Sequence, residues 1–197
     1  MKARTKKKFK ATTNSNYNLP VAGNILNQNF MTSRPDMVWT SDITYIWTSE
    51  GWLYLVVVLD IYSRKIISWR MSNNLSKEFV YEAIRKPIDT IKPLGNLIFH
   101  SDRGVQYESN SIRMLLKKHG ISQSMSNKGN CYDNAITETF FHTLKTELIY
   151  HTNYETRKEA ELSIFEYIEL FYNRQRLHSS LNYVSPVDYE KNYFDKK

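Results

Sequence analysis

The fold is decided by residues 38–61, VWTSDITYIWTSEGWLYLVVVLDI, which predict two β-strands joined by a tight turn. The first strand is predicted over Val38–Thr48 and the second over Trp52–Ile61, with residues 49–51 in the turn. The second strand is apolar almost throughout, as is usual for a strand that is buried on both faces of a sheet. A connection this short implies antiparallel pairing, so the two strands begin an antiparallel meander.

Further elements follow in the order that is typical of a mixed α/β protein. They are a third strand over Lys65–Met71, a helix over Lys77–Lys86 that Pro87 interrupts or ends, a strand over Leu97–His100, a helix over Asn110–His119, a strand over Ile121–Ser126, and helices over Asp133–Tyr150 and Glu155–Arg176. One mixed five-stranded sheet with helices on its faces satisfies this order best. The predicted fold class is therefore α/β.

Composition and charge favour a globular protein with one cationic end. Of the 197 residues, 41% are hydrophobic, and the formal net charge is +7. Residues 1–10 contain six cations and no acids, which is typical of an arm that binds nucleic-acid phosphates, although a solvated terminus explains the charge equally well. The single cysteine and the absence of a signal peptide or a membrane-spanning run lead us to expect a cytoplasmic protein with no membrane partner.

Three acidic residues occupy positions that folding alone explains poorly. Asp42 is inside the first predicted strand, where aspartate is disfavoured. Asp102 comes just past the end of the fourth strand, and Glu138 is one turn into a helix, among apolar residues. Each residue also has an ordinary explanation: Asp42 faces solvent, Asp102 caps a turn, and Glu138 balances the helix dipole.

Taken together, the three carboxylates predict a site for divalent cations. If the first and fourth strands are neighbours, Asp42 and Asp102 approach each other and repel unless a cation lies between them. Mg²⁺ is held by a few carboxylates and keeps positions open for water and phosphate oxygens. Two such ions, about 3.5–4 Å apart, activate the attacking oxygen and stabilise the leaving oxygen in phosphoryl transfer. The histidines and the cysteine show no zinc-binding spacing.

Three motifs around these carboxylates resemble the integrase-core (DDE-type) transposases of bacterial insertion sequences. The motifs are WTSDITY at residues 39–45, HSDRGVQY at residues 100–107 and SNKGNCYDNAITETFF at residues 126–141. Between Asp102 and Glu138 there are 35 residues, which matches the Asp-Asp-(35)-Glu signature of that family. The chain is most similar to the second-frame (OrfB-type) product of elements that encode their transposase in two overlapping frames.

The resemblance runs from about Phe30 to Tyr189 and implies both a fold and an activity. The implied fold is ribonuclease-H-like, and the implied activity is metal-dependent DNA strand cleavage and strand transfer. Asp42, Asp102 and Glu138 would be the catalytic residues and would hold two Mg²⁺ ions, with Mn²⁺ as a substitute. A nuclease of the same fold and a DNA-binding remnant without catalysis are the alternatives.

The resemblance also implies a set of DNA-contacting residues. Lys145 follows Glu138 by two helical turns on the same face, and in the family a basic residue at this place grips DNA near the reacting end. A solvated surface lysine is the alternative. Residues 172–181, YNRQRLHSSL, match the family's C-terminal motif. The further DNA-contacting candidates are Arg103, Lys128, Asn134, Arg174 and Arg176.

Three other polar residues near the motifs receive structural interpretations. Asp133 immediately precedes the long predicted helix and is interpreted as its N-cap. Asp60, at the end of the second strand, is assigned to the following turn. His100 either contacts the site or is a buried histidine with its hydrogen bonds satisfied.

The predicted organisation is a basic, irregular arm over residues 1–29, a ribonuclease-H-like catalytic core over residues 30–152, and a C-terminal helix and tail over residues 153–197 packed on the core. In the family, a helix-turn-helix region usually lies upstream of the core, whereas before Phe30 we expect at most a basic arm and a polar lead-in. We therefore expect a first-frame helix-turn-helix partner or fusion, with DNA as the substrate. We also expect a homo-oligomer on DNA, associated with the bacterial nucleoid.

Overall fold

The computed structural model of the protein describes residues 21–93 and 95–196, so the cationic arm predicted over residues 1–10 lies outside the described residues. The strands are β1 (Val38–Thr48), β2 (Gly51–Asp60), β3 (Ile66–Ser72), β4 (Ile98–Ser101) and β5 (Ser122–Met125). The α-helices are α1 (Lys77–Ile91), α2 (Asn110–Lys118), α3 (Ala135–Glu147), α4 (Arg157–Glu166) and α5 (Pro186–Phe194). Short 3₁₀ turns cover Cys131–Asn134, Ile149–His151 and Ser179–Leu181, and a π-helical turn covers Tyr167–Tyr172.

The five strands form one mixed sheet in the order β3-β2-β1-β4-β5, which confirms the predicted α/β fold class. β1, β2 and β3 pair antiparallel, whereas β4 pairs parallel to both β1 and β5. The first and fourth strands are therefore neighbours. Because β1 has 11 residues and β4 has only four, β1 continues beyond the end of β4.

Helices cover both faces of the sheet and bury a separate apolar cluster on each. On one face, residues of α1 and α2 pack against Trp39, Val56, Val58 and Phe99. On the other face, residues of α3, α4 and the π-helical turn pack against Ile46, Leu55, Val57 and Leu59. Successive residues of β2 thus enter opposite clusters, which is why this strand is apolar at nearly every position.

α1 continues through Pro87 to Ile91, so the prediction that Pro87 interrupts or ends this helix was wrong. Pro87 is buried on the same side of α1 as Ala83 and Ile84, against the core. Proline costs a helix interior about 3 kcal/mol. We attribute its tolerance here to the apolar contacts of the buried face. The helix ends at Lys92, which adopts a left-handed conformation with φ 52°.

The two predicted C-terminal helices are shorter than expected. α3 does not extend over Asp133–Tyr150, because Leu148, with φ −129°, leaves the helical conformation. The final predicted helix, Glu155–Arg176, begins only after the N-cap Thr156, and its backbone becomes π-helical from Tyr167 onward.

α5 was not predicted as a helix, although its start carries a recognisable signal. Ser185 is the N-cap, and its hydroxyl accepts a hydrogen bond from the backbone N–H of Asp188. Pro186 is the first helical residue, where its missing N–H costs nothing. α5 packs on the β2–β3 turn through ring contacts between Tyr62 and Tyr189.

Residues 21–29 form neither helix nor strand but contact the sheet edge. Ser124 Oγ on β5 accepts hydrogen bonds from the backbone N–H groups of Ile25 (2.9 Å) and Leu26 (3.1 Å), and Leu26 is buried. The division of the chain at residues 29 and 152 remains a prediction.

Asp60 stabilises the β2–β3 turn through hydrogen bonds of its carboxylate, as predicted. Its Oδ2 accepts hydrogen bonds from the backbone N–H (2.9 Å) and the hydroxyl (2.7 Å) of Ser63, and its Oδ1 accepts one from the N–H of Asp36 (3.0 Å). The carboxyl group is buried, and this burial raises its pKa from the ordinary 3.8 to about 6.

This raised pKa predicts a pH-dependent stability that Asp60→Asn removes. The folded pKa is above the unfolded value, so the stabilisation is complete below about pH 4 and is lost as the pH rises through 6. The free energy of unfolding of the wild type, minus that of Asp60→Asn, should fall by about 2 kcal/mol between pH 4.5 and 7.5. Urea denaturation at the two pH values measures it. A difference that stays constant between the two pH values would contradict the assignment.

Candidate active site

The parallel pairing of β1 with β4 brings Asp42 and Asp102 side by side. The last paired residues are Ser41 and Ser101, so the two aspartates come next in register, at the point where β4 ends. Neighbouring strands are about 4.8 Å apart, which is close enough for both carboxylates to face one ion. Asp42 and Asp102 are both partly buried.

Each aspartate is oriented by one backbone hydrogen bond. Asp42 Oδ1 accepts from the N–H of Ile43 (2.7 Å), and Asp102 Oδ1 accepts from the N–H of Gly104 (3.0 Å). Within the described residues, neither Oδ2 atom has a hydrogen-bond partner. A Cβ at position 104 would lie 3.0 Å from Asp102 Oδ1, tighter than ordinary van der Waals contact, so the close approach of this loop to the carboxylate favours glycine.

α3 brings Glu138 to the same end of the sheet. The hydroxyl of Thr137 lies 2.7 Å from that of Thr40 on β1, and both residues are fully buried. This contact fixes the first turn of α3 two residues from Asp42, while the side chain of Glu138 remains exposed. In the described part of the chain, no three His, Cys, Asp or Glu side chains are already converged as a metal-ligand set.

The pKa values of all three carboxyl groups are raised. For Asp42 the pKa lies well above its ordinary range because of burial, and then because of the charges of Asp102 and Glu138. Burial also raises the pKa of Asp102, and burial and the charge of Asp102 raise that of Glu138. The site is therefore one where negative charge is concentrated and poorly compensated by the protein.

Lys145 is the basic residue that acts on this cluster. Burial lowers the pKa of its ammonium group, and the charge of Asp42 opposes that shift. The same interaction lowers the pKa of Asp42. Lys145 thus lies on the carboxylate side of α3 and is partly buried.

Tyr107 is a buried side chain close to Asp42 and Asp102, and it was not singled out from the sequence. Its hydroxyl lies 2.8 Å from Ser41 Oγ, and the side chain is buried. Burial and the charges of Asp42 and Asp102 raise its pKa, so it remains a neutral phenol under the two aspartates. Its place in the motif HSDRGVQY was visible in the sequence, but nothing in the motif indicated that the ring turns inward.

His100 is a buried histidine with its hydrogen bonds satisfied. Its Nδ1 lies 2.9 Å from Ser124 Oγ and its Nε2 lies 3.2 Å from Ser126 Oγ. Burial lowers its pKa to about 4, so the ring is neutral at physiological pH.

Asp133 is not the N-cap of α3, and that prediction was wrong. The N-cap position is Asn134. Asp133 is buried, and its carboxylate accepts four hydrogen bonds, from the backbone N–H of Asn127 and from the side chains of Asn24, Gln28 and Asn130. It therefore joins the lead-in segment to the loop that precedes α3, and it positions that loop beside the site.

The other proposed DNA-contacting residues have different environments. Lys128 is exposed in the loop before α3, and Arg174 is exposed with its Nε donating to the carbonyl of Glu169 (3.1 Å). Arg103 donates from Nε to the carbonyl of Ser126 (2.7 Å).

Asn134 and Arg176 are largely engaged within the protein. Asn134 is buried and hydrogen-bonds to Ser41 O and Thr137 Oγ1. Arg176 forms a two-pronged ion pair with Glu147, with a shortest distance of 2.7 Å.

Comparison with known protein families identifies the domain type. The integrase core domain matches residues 32–131, and a second integrase core domain description matches residues 138–194. The chain is 46% identical over 193 residues to an uncharacterized 31 kDa protein of insertion element IS600 from Shigella sonnei, covering 98% of this chain and 71% of that protein. It is 42% identical over 190 residues to the transposase InsF of insertion sequence IS3A from Escherichia coli, covering 96% of this chain and 66% of the transposase.

Solved structures with low sequence identity share the fold. The catalytic core domain of BIV integrase has a TM-score of 0.58 at 21% identity, covering 82% of this chain and 98% of that domain. The HTLV-2 integrase catalytic core domain, solved in complex with magnesium, has a TM-score of 0.60 at 13% identity and covers 81% of this chain and 99% of that domain. The fold is therefore ribonuclease-H-like, as predicted.

Proposed function

The chain belongs to the integrase core family, and on that premise we propose that it cleaves and joins DNA strands with divalent metal held by Asp42, Asp102 and Glu138. DNA cleavage and transfer during transposition is the function of this family. The observation that carries the proposal is the register of β1 and β4, which brings two aspartates together at the end of the shorter strand.

The residues at the site fit Mg²⁺, with Mn²⁺ as a substitute. All three side chains are carboxylates, the hard oxygen ligands that Mg²⁺ prefers. Asp42 and Asp102 each have one oxygen oriented by a backbone N–H and one without a partner among the described residues. Burial raises the pKa of all three acids, and neighbouring triad carboxylates raise those of Asp42 and Glu138 further, so a bound cation would stabilise their charged forms.

Different residues of the site would bind the metal, bind the DNA and support the local structure. Asp42 and Asp102 would hold the metal at the point where β4 ends beside the central strand β1, and Glu138 would complete the ligand set from α3. When bound, divalent metal supplies activation of the attacking oxygen and stabilisation of charge on the leaving oxygen. Lys145 holds a DNA phosphate beside the reacting bond. Thr137 and Tyr107 keep α3 and the β4 loop in place against β1.

A strand-transfer assay tests the proposed activity. Wild-type protein is incubated with pre-cleaved insertion-sequence ends, a target duplex and Mg²⁺, with a parallel reaction in EDTA. We expect joined products that require the metal. Cleavage without joining would instead support a nuclease of the same fold, and DNA binding without either reaction would support a non-catalytic remnant.

Lys145→Ala should reduce strand transfer on the order of tenfold or more, because misplacing a reacting DNA end is costly. Lys145→Arg should keep much of the activity, since it retains the charge. Metal binding, measured by calorimetry, should persist in both variants. Lys117→Ala, a lysine in the last turn of α2, is the control. Wild-type transfer by Lys145→Ala would show that this lysine has no role in DNA positioning.

The proposed partners are the transposon ends and the target DNA. We also propose that the chain acts as a homo-oligomer on DNA, with a first-frame helix-turn-helix product or fusion that recognises the ends. We place it in the bacterial cytoplasm at the nucleoid. Among the described helices, none is long and apolar enough to cross a bilayer.

A further inference from the structure

A cavity of about 480 Å³ lies on the side of α3 that faces away from Glu138. Ile136 and Thr143 contribute to its wall from α3. Each residue turns an α-helix by roughly 100°, so these two side chains are on the opposite side of the helix from Glu138. The other wall consists of the β2–β3 turn and the segment 176–183. The cavity is therefore separate from the carboxylate site.

The cavity wall is cationic. It includes the guanidinium groups of Arg64 and Arg176 and the hydroxyls of Ser179 and Ser180, and none of its lining residues is Asp or Glu. His178 also lines the cavity, but burial lowers its pKa to about 4, so its ring is neutral at physiological pH. The charge of Arg176 is balanced by its ion pair with Glu147, which lies outside the wall. Arg64 has no ion-pair partner within 4 Å among the described residues, so its charge remains available to an anion.

Two polar atoms of the wall lack hydrogen bonds. Arg64 Nη1 and His178 Nε2 are buried without a partner in the described part of the chain, where only one other buried side-chain atom, Ser68 Oγ, shares this condition. A buried donor left without a partner costs about 1–3 kcal/mol, and more when it is charged. Such groups are usually explained by a bound water, ion or ligand.

The backbone of Arg64 is held in a strained conformation. Its φ is 61°, in the left-handed region that non-glycine residues rarely adopt. The backbone N–H of Arg64 donates to the carbonyl of Asp60 (2.9 Å), and the carbonyl of Arg64 accepts a hydrogen bond from the hydroxyl of Tyr172 (3.1 Å). The fold thus keeps an arginine at a position that suits glycine better, and this arginine lines the cavity.

We propose that this cavity binds a phosphate group of the DNA backbone, with Arg64 and His178 as hydrogen-bond donors. A guanidinium group matches phosphate oxygens in charge and geometry. Serine hydroxyls at the opening supply further donors, and the exposed side chains of Leu177 and Tyr183 border it. The choice of DNA as the source of the phosphate rests on the proposed function. The site would hold DNA at a distance from the reacting bond.

The variant Arg64→Gly tests the site without disturbing the fold, because glycine adopts a positive φ at no steric cost. Lys92→Gly is a matched control: it also removes one cation from a left-handed position, with φ 52°, and Lys92 is exposed at the end of α1. The first measurement is thermal unfolding in 0–20 mM inorganic phosphate against chloride at equal ionic strength. Wild type and Lys92→Gly should gain about 3 °C more than Arg64→Gly. Equal gains in all three proteins would overturn the site.

The second measurement is fluorescence anisotropy with a random-sequence duplex and no divalent metal, so that a failure of catalysis does not affect it. One lost phosphate contact lowers the slope of log affinity against log salt by about 0.9, which is about eightfold in affinity at 0.1 M salt. Arg64→Gly should show this change and Lys92→Gly should not. A lost phosphate response with an unchanged DNA slope would overturn the assignment to DNA and leave a site for free phosphate or for a carboxylate of another protein.

Discussion

Asp102→Asn should lower the single-turnover rates of strand cleavage and strand transfer by about 10³-fold or more. The substitution keeps the shape of the side chain but replaces a charged ligand oxygen at the end of β4. Losing metal-dependent stabilisation of the transition state costs several kcal/mol, and each 1.36 kcal/mol is a factor of ten in rate. The cleavage assay uses uncleaved ends and the strand-transfer assay uses pre-cleaved ends, both with Mg²⁺, and DNA binding is measured separately.

The same variant should remain folded and should bind DNA as well as the wild type. Removing one of three mutually repelling carboxylates leaves the metal-free protein as stable as before, or more so, because the burial of Asp102 and its effect on Asp42 both disfavour charge. Asp89→Asn, on the exposed side of α1, is the control and should retain full activity. Full activity of Asp102→Asn would remove this residue from the site.

Asp133→Ala should lower the free energy of unfolding by about 3–5 kcal/mol. The substitution removes the acceptor of four hydrogen bonds, donated by Asn24, Gln28, Asn127 and Asn130. Losing a buried hydrogen-bonded charge has effects of this size. Urea denaturation measures the change, and Asp195→Ala, which is exposed, should change stability by less than about 0.5 kcal/mol. A loss below about 1 kcal/mol for Asp133→Ala would mean that the loop is held by other contacts.

The sheet was predictable because its strands carry strong local signals. The run of apolar residues in β2 has strand length, and the turn at residues 49–51 permits only antiparallel pairing. The order of strands and helices then limits the sheet to few arrangements. The placement of Asp42 beside Asp102 required the further condition that β4 pairs with β1, which the sequence pattern suggested but did not determine.

Other features depend on contacts between residues far apart in sequence, and no local pattern specifies them. The N-cap interpretation of Asp133 followed from its position before a helix, whereas its actual partners include residues 24 and 28. Pro87 is tolerated because its side chain is buried. Helix propensity describes only the local preference of a residue and carries no information on such tertiary contacts. The unpartnered state of Arg64 depends on the segment around His178, more than 100 residues later in the chain.

The most direct test of the metal site is a Mn²⁺ titration followed by electron paramagnetic resonance, which detects the free ion. It compares the wild type with Asp42→Asn, Asp102→Asn and Glu138→Gln, and uses Glu166→Gln on α4 as the control. We predict that the wild type and the control bind Mn²⁺, and that each of the other three variants needs at least about tenfold more Mn²⁺ for the same occupancy, since second-sphere changes alone already cost about that much. Superimposable binding curves for all five proteins would contradict the assignment of Asp42, Asp102 and Glu138 as the metal ligands.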